Sequence, residues 1–81
     1  MATILRARDF RVVIYSNDHP PPHCHVMSPR GAAKIALGEG PVRPWVMASK
    51  RLARQQLRQA LEIVIEHREL LKRRWSEIHG Q

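Results

Sequence analysis

At 81 residues the chain makes one domain, and a domain of that size buries only about 60–65% of the surface its unfolded form exposes. Fourteen Lys and Arg against seven Asp and Glu give a net charge of +7, a balance that favours polyanions such as RNA or an acidic partner protein. Cys24 is the only cysteine, which excludes an internal disulfide, and no run approaches the roughly 20 apolar residues of a membrane span. A lone cysteine behind an N-terminal stretch too short for a secretory leader predicts a reduced, cytoplasmic protein.

The first expected element is a strand at 10–15, Phe10-Arg11-Val12-Val13-Ile14-Tyr15, β-branched and aromatic, which runs into a turn at Ser16-Asn17-Asp18. Pro20, Pro21 and Pro22 then form a stiff, extended connection that cannot join a sheet ladder centrally. Residues 23–27 read as a second, antiparallel strand. Ser28-Pro29-Arg30-Gly31 is a turn in which Gly31 supplies a positive φ. A third strand at 32–37 alternates, with Ala33, Ile35 and Leu37 inward. A fourth at 42–47 is demoted to an edge by Pro44.

From Ser49, read as the N-cap, the period changes to that of an amphipathic helix over 49–79. Leu57, Leu61, Val64, Leu71, Trp75 and Ile78 form its apolar seam. About 30 helical residues span ~45 Å, whereas an 81-residue globule has a radius of gyration of ~12 Å. The seam therefore needs a homodimer or a cognate partner to cover it, or a break near Glu66–Arg68. The fold class is α+β: a small antiparallel sheet of three to four strands packed on one long C-terminal helix.

Chemistry concentrates in Asn17-Asp18-His19-Pro20-Pro21-Pro22-His23-Cys24-His25. His23 and His25 are two apart on a strand and share a face, while Cys24 turns to the other with Val26. His19, His23 and His25, with Asp18 adjacent, form a ligand set for zinc, nickel, copper or iron, and His67 is a distant fourth ligand or supporting group. The same histidines suit acid–base cleavage of RNA, one as base and one as acid, with Arg68 or Arg11 stabilising charge on phosphorus. A purely structural role, in turn formation and a thin core, stands beside both.

Lys50, Arg51, Arg54 and Arg58 crowd the expected helix start, where the dipole disfavours cations, and point to phosphate or an acidic partner. Arg68 falls in the middle of the apolar seam and needs a carboxylate or carbonyl; Asp18 is the expected carboxylate.

Tyr15-Ser16-Asn17-Asp18-His19-x-Pro21-Pro22-His23-x-His25, a glycine turn, and a helix carrying Glu66-His67-Arg68-Glu69 and Trp75 resemble the bacterial family catalogued as domain of unknown function 4160. The resemblance covers nearly the whole chain; Pro20 and Cys24 are its departures. It implies a small bacterial protein often encoded beside a second short reading frame, as in toxin–antitoxin pairs. The expected function is thus a basic module of such a pair, binding a partner protein or RNA with ribonuclease-type chemistry at the histidines. The alternative is a protein that holds a metal on His19, His23 and His25.

Overall fold

The computed structural model describes residues 2–80, which form a five-stranded antiparallel sheet with two helices on one face. The strands β1 (Ala2–Ala7), β2 (Phe10–Ile14), β3 (His23–Met27), β4 (Ala32–Ala36) and β5 (Trp45–Lys50) lie side by side in chain order. Two helices follow, α1 (Arg54–Glu66) and α2 (Arg68–His79). The α+β class and antiparallel sheet agree with the sequence; the counts of three to four strands and one helix do not.

The additional strand is β1. It joins β2 through a two-residue hairpin at Arg8-Asp9, with Ala7 opposite Phe10 and Arg8 at φ 58°. Such turns favour Gly or Asn, so an arginine in this role leaves no mark in the sequence. The last strand lies at Trp45–Lys50 rather than 42–47, so Ser49 is a strand residue and not an N-cap. The side chains of β5 are half-buried or exposed, and an edge strand of this kind lacks the alternation that reveals a strand. Helix α1 starts after Ala53, whose N–H donates to Gln56 Oε1 at 2.9 Å. Gly31 does not adopt positive φ. A Cβ there would run into the Lys50 carbonyl, so it is glycine for close approach to β5.

Alternate side chains of the strands meet the helices. Phe10, Val12, Ile14, Cys24, Val26, Ala33, Ile35 and Leu37 pack with Ala60, Ile63, Val64, Leu71 and Trp75 in one buried cluster. The expected single helix breaks at His67 (φ −107°, ψ 20°). One straight helix over 54–79 would be ~39 Å long, longer than the molecule's 34 Å greatest extent. At the break, the His67 ring Nδ1 donates to the Ile63 carbonyl at 3.0 Å, alongside the His67 N–H at 3.1 Å. The break folds the second half of the seam back onto the sheet, where Leu71 and Trp75 are buried within the same chain. No second chain is needed to cover them. No helix among the described residues is long and apolar enough to cross a membrane.

Arg68 stands just past the break, and its partner is not Asp18. Its Nε donates to the Leu37 carbonyl at 2.9 Å, and Nη2 donates to the carbonyls of Gly40 and Val42 at 3.2 and 2.9 Å. Three outward-pointing backbone oxygens in the β4–β5 connection are a better match for a planar five-donor fork than one carboxylate held elsewhere. Replacing Arg68 with Met should therefore cost about 2 kcal/mol in urea unfolding. Asp18→Asn should add to that loss independently, to within about 0.5 kcal/mol. A larger coupling energy in the double mutant would show that the two side chains interact.

Candidate metal centre

The segment between β2 and β3 shapes the site. Tyr15 to Asp18 closes as a turn in both directions: the Asp18 N–H donates to the Tyr15 carbonyl at 3.1 Å, and the Tyr15 N–H donates to Asp18 Oδ2 at 3.1 Å. The carboxylate is thereby fixed to the end of β2. The prolines carry the chain across to β3 outside the ladder, and Pro22 rejoins it by accepting from the Leu37 N–H at 2.9 Å.

His23 and His25 do share a face of β3, and both Nε2 atoms approach the same oxygen, Asp18 Oδ2, at 3.5 and 3.2 Å. Cys24 points the other way, into the core. The donor atoms of Asp18, His23 and His25 all lie within 4.8 Å of one another. Two ligands ~2.05 Å from a tetrahedral ion are ~3.3 Å apart, so the two measured separations match the edges of such a site.

The protonation of His23 is the informative detail. Its Nδ1 lies 2.8 Å from the Pro21 carbonyl oxygen. A carbonyl only accepts, so Nδ1 carries a hydrogen, and in the neutral ring Nε2 presents a lone pair. That Nε2 is buried, in a side chain only 3% exposed, and makes no hydrogen bond: 3.5 Å from a carboxylate oxygen is ion-pair range but not a bonded contact. A buried lone pair facing a partly buried carboxylate is repulsive unless a proton or a metal ion sits between them. A ring that donates one nitrogen to a backbone carbonyl and aims the other inward is the usual posture of a metal-bound histidine. His25 Nε2 donates to Asp18 Oδ2 at 3.2 Å, so a metal there would replace that hydrogen; burial lowers the pKa of His25 below the ordinary histidine value, a shift that the Asp18 carboxylate only partly offsets. Aromatic walls hold both rings, with Tyr15 edge-on to His25 at 4.7 Å and Trp75 tilted against His23 at 5.3 Å.

The remaining expected site residues are dispersed. His19 is exposed and stands outside the cluster; Asp18, one residue earlier, supplies the third donor instead. His67 is engaged at the helix break. Asn17 lies exposed in the turn. Lys50 ends β5, Arg51 follows it at φ 63°, and Arg54 and Arg58 are exposed on α1, so these four are not one helix terminus. Tyr15 and Trp75 complete the site without any signal of this role in the sequence. Their role follows from register and helix docking, which spacing along the chain does not encode.

The fold and site define a small α+β protein whose meander sheet carries an Asp–His–His cluster at the start of its central strand. Residues 9–76, which include that cluster and Arg68, match the family described as Domain of unknown function (DUF4160), and the chain belongs to it. No curated protein and no solved structure matches the chain.

Cys24 takes no part. Burial pushes its thiol up to about 12, so no thiolate is available as ligand or nucleophile near neutrality. Iodoacetamide at pH 8 should leave Cys24 unmodified in the folded protein and alkylate it fully in guanidinium, as read by intact mass. Rapid alkylation of the native chain would contradict this placement.

Proposed function

We propose that the protein binds a divalent transition metal, zinc or iron(II), through Asp18 Oδ2, His23 Nε2 and His25 Nε2. The observation that carries this reading is the unpartnered Nε2 of buried His23, aimed at a carboxylate with its opposite nitrogen fixed by the Pro21 carbonyl. Two histidines and one carboxylate are a ligand set for both ions. Three protein ligands leave at least one coordination position open, the pattern of sites that do chemistry rather than sites that only hold structure.

The acid–base reading finds less support. Cleavage of RNA needs two imidazoles that reach the ribose hydroxyl and the leaving oxygen, and His23 is 3% exposed. Arg68, expected to steady charge on phosphorus, is engaged by three backbone carbonyls. Pairing with a second protein in a toxin–antitoxin-like arrangement is compatible with a metal site and independent of it.

Chelator-stripped protein without a histidine tag should take up about one equivalent of Zn²⁺ by calorimetry. Co²⁺ in its place should give the visible absorption of a low-coordinate site. His25→Ala and Asp18→Asn should each weaken binding by at least about 100-fold, beyond the 10–100-fold typical of losing an outer-shell partner. His19→Ala should bind as the parent does. Uptake that depends on His19 and not on Asp18, or well under one equivalent in folded protein, would overturn the assignment.

A further inference from the structure

The strand register places the sheet's cations in rows on the face opposite α1, with Trp75 of α2 packed against its His23 end. Arg6 of β1 pairs with Arg11 of β2, Arg11 with Met27, Met27 with Ala32 and Ala32 with Lys50. Residues directly opposite one another share a face, so this row carries Arg6, Arg11 and Lys50. The next row runs Thr3, Val13, His25, Lys34 and Ala48, and adds Lys34 beside the candidate metal ligand. Five strands ~4.8 Å apart make the first row ~19 Å wide, and the rows are ~6.8 Å apart.

Met27 sits at the centre. Three shallow depressions meet along its side chain: one lined by His25, Lys34 and Lys50, one by Arg6 and Arg11, and one by Lys50 and Arg51. None of Arg6, Arg11, Lys34 and Lys50 is ion-paired among the described residues. Asp9 is the one carboxylate lining these depressions, and Arg30 neutralises it. Glu62, Glu66, Glu69 and Glu77 all belong to the helices, which also carry Arg54, Arg58, Arg68, Lys72, Arg73 and Arg74. Apolar and aromatic surface interleaves with the cations: the Met27 thioether, the half-buried Tyr15 ring, and Trp45, which is 48% exposed on the outer row with His23 and Ala36.

We propose that this sheet face binds the phosphodiester backbone of a single-stranded nucleic acid. Unpaired cations along the rows meet a regularly repeating charge, while the exposed Trp45 ring and the half-buried Tyr15 ring offer unpaired bases a place to stack. The ~19 Å width is the scale at which sheet platforms engage a few nucleotides. The strand would pass over His25, which brings its phosphates to the candidate metal centre. The surface itself stands on the cation rows and not on the metal.

Fluorescence anisotropy with a labelled 12-nucleotide mixed-sequence oligomer, as RNA and as DNA, tests this in the full chain as purified. Binding should weaken linearly on a log–log scale as salt rises, with a slope of about −3 for four phosphate contacts. Arg11→Gln combined with Lys34→Gln should roughly halve that slope and lower affinity at least tenfold. Arg54→Gln with Arg58→Gln on α1 should change neither. Preference for RNA over DNA, or equal binding to both, supports the proposal and identifies the source of the strand. Equal loss in the α1 variant, tighter binding to the matching duplex, or equal affinity for a polyglutamate peptide of matched charge would overturn it. Because the slope is read without added metal, a chain that fails to bind zinc yet shows it keeps this inference and loses the previous one.

Discussion

A slip of one residue in β3 would turn Cys24 and Val26 outward and drive His23 and His25 into the apolar layer under the helices. The register of that strand is therefore the constraint on which the other features depend. Two neighbours enforce it. Val12 opposite Val26 and Ile35 opposite Cys24 keep the inward side continuous. All four of those side chains are fully buried. With the inward side fixed by the hydrophobic layer, the outward side has no freedom: His25 must lie between Val13 and Lys34, and Met27 between Arg11 and Ala32. The Asp–His–His cluster and the cation rows are thus two consequences of one packing requirement.

A chain this small has little surplus with which to hold strained or polar groups in place, and it uses backbone carbonyls repeatedly to do so. The Pro21 oxygen sets the tautomer of His23; the oxygens of Leu37, Gly40 and Val42 hold Arg68; the Ile63 oxygen receives the His67 ring at the helix break. Each of these oxygens lies at or near an end of regular structure, and the Ile63 oxygen accepts from the His67 N–H as well as from its ring. The Arg68 contact does further work, because it fixes the β4–β5 connection from which the edge strand β5 departs. The break at His67 is the compensating feature: it lets a seam written for some 39 Å of helix close over a sheet within a molecule 34 Å long.

Much of this was readable in the residues. The β-branched run of β2, the His-x-His of β3 and the alternation of β4 identify the middle of the sheet because those strands are buried on one side by side chains of a consistent kind. The edges were less readable, for the same reason in reverse: β5 is an edge strand as expected but lies at Trp45–Lys50 rather than 42–47, its side chains half-buried or exposed, and the turn from β1 into β2 uses an arginine where glycine or asparagine is the usual clue. For the site, the residue types and the shared face of His23 and His25 followed from period two. Asp18 as the third donor instead of His19 did not follow, because a reciprocal turn back to Tyr15 decides which of two adjacent side chains points inward. Arg68 shows the limit of projecting a helix alone: its burial demanded an acceptor, but only the return path of the β4–β5 loop says that the acceptors are carbonyls.

The basic composition gains meaning once the sheet is built. A net charge of +7 spread evenly over a sphere would attract any polyanion weakly. Here Arg6, Arg11, Lys34 and Lys50 stand on the sheet face with no ion pair among the described residues, and the His25 ring lies in the second of their two rows. Cations placed this way would raise the local concentration of phosphate beside three converging donor atoms. A metal held by those donors would in turn add positive charge at the one point of the face where Asp18 now contributes a negative one. The cluster and the rows thus act in the same electrostatic direction, although each rests on its own geometry: His23 Nε2 would want a cation if the surface bound nothing, and Arg11 and Lys34 would lack counter-ions if the cluster were empty.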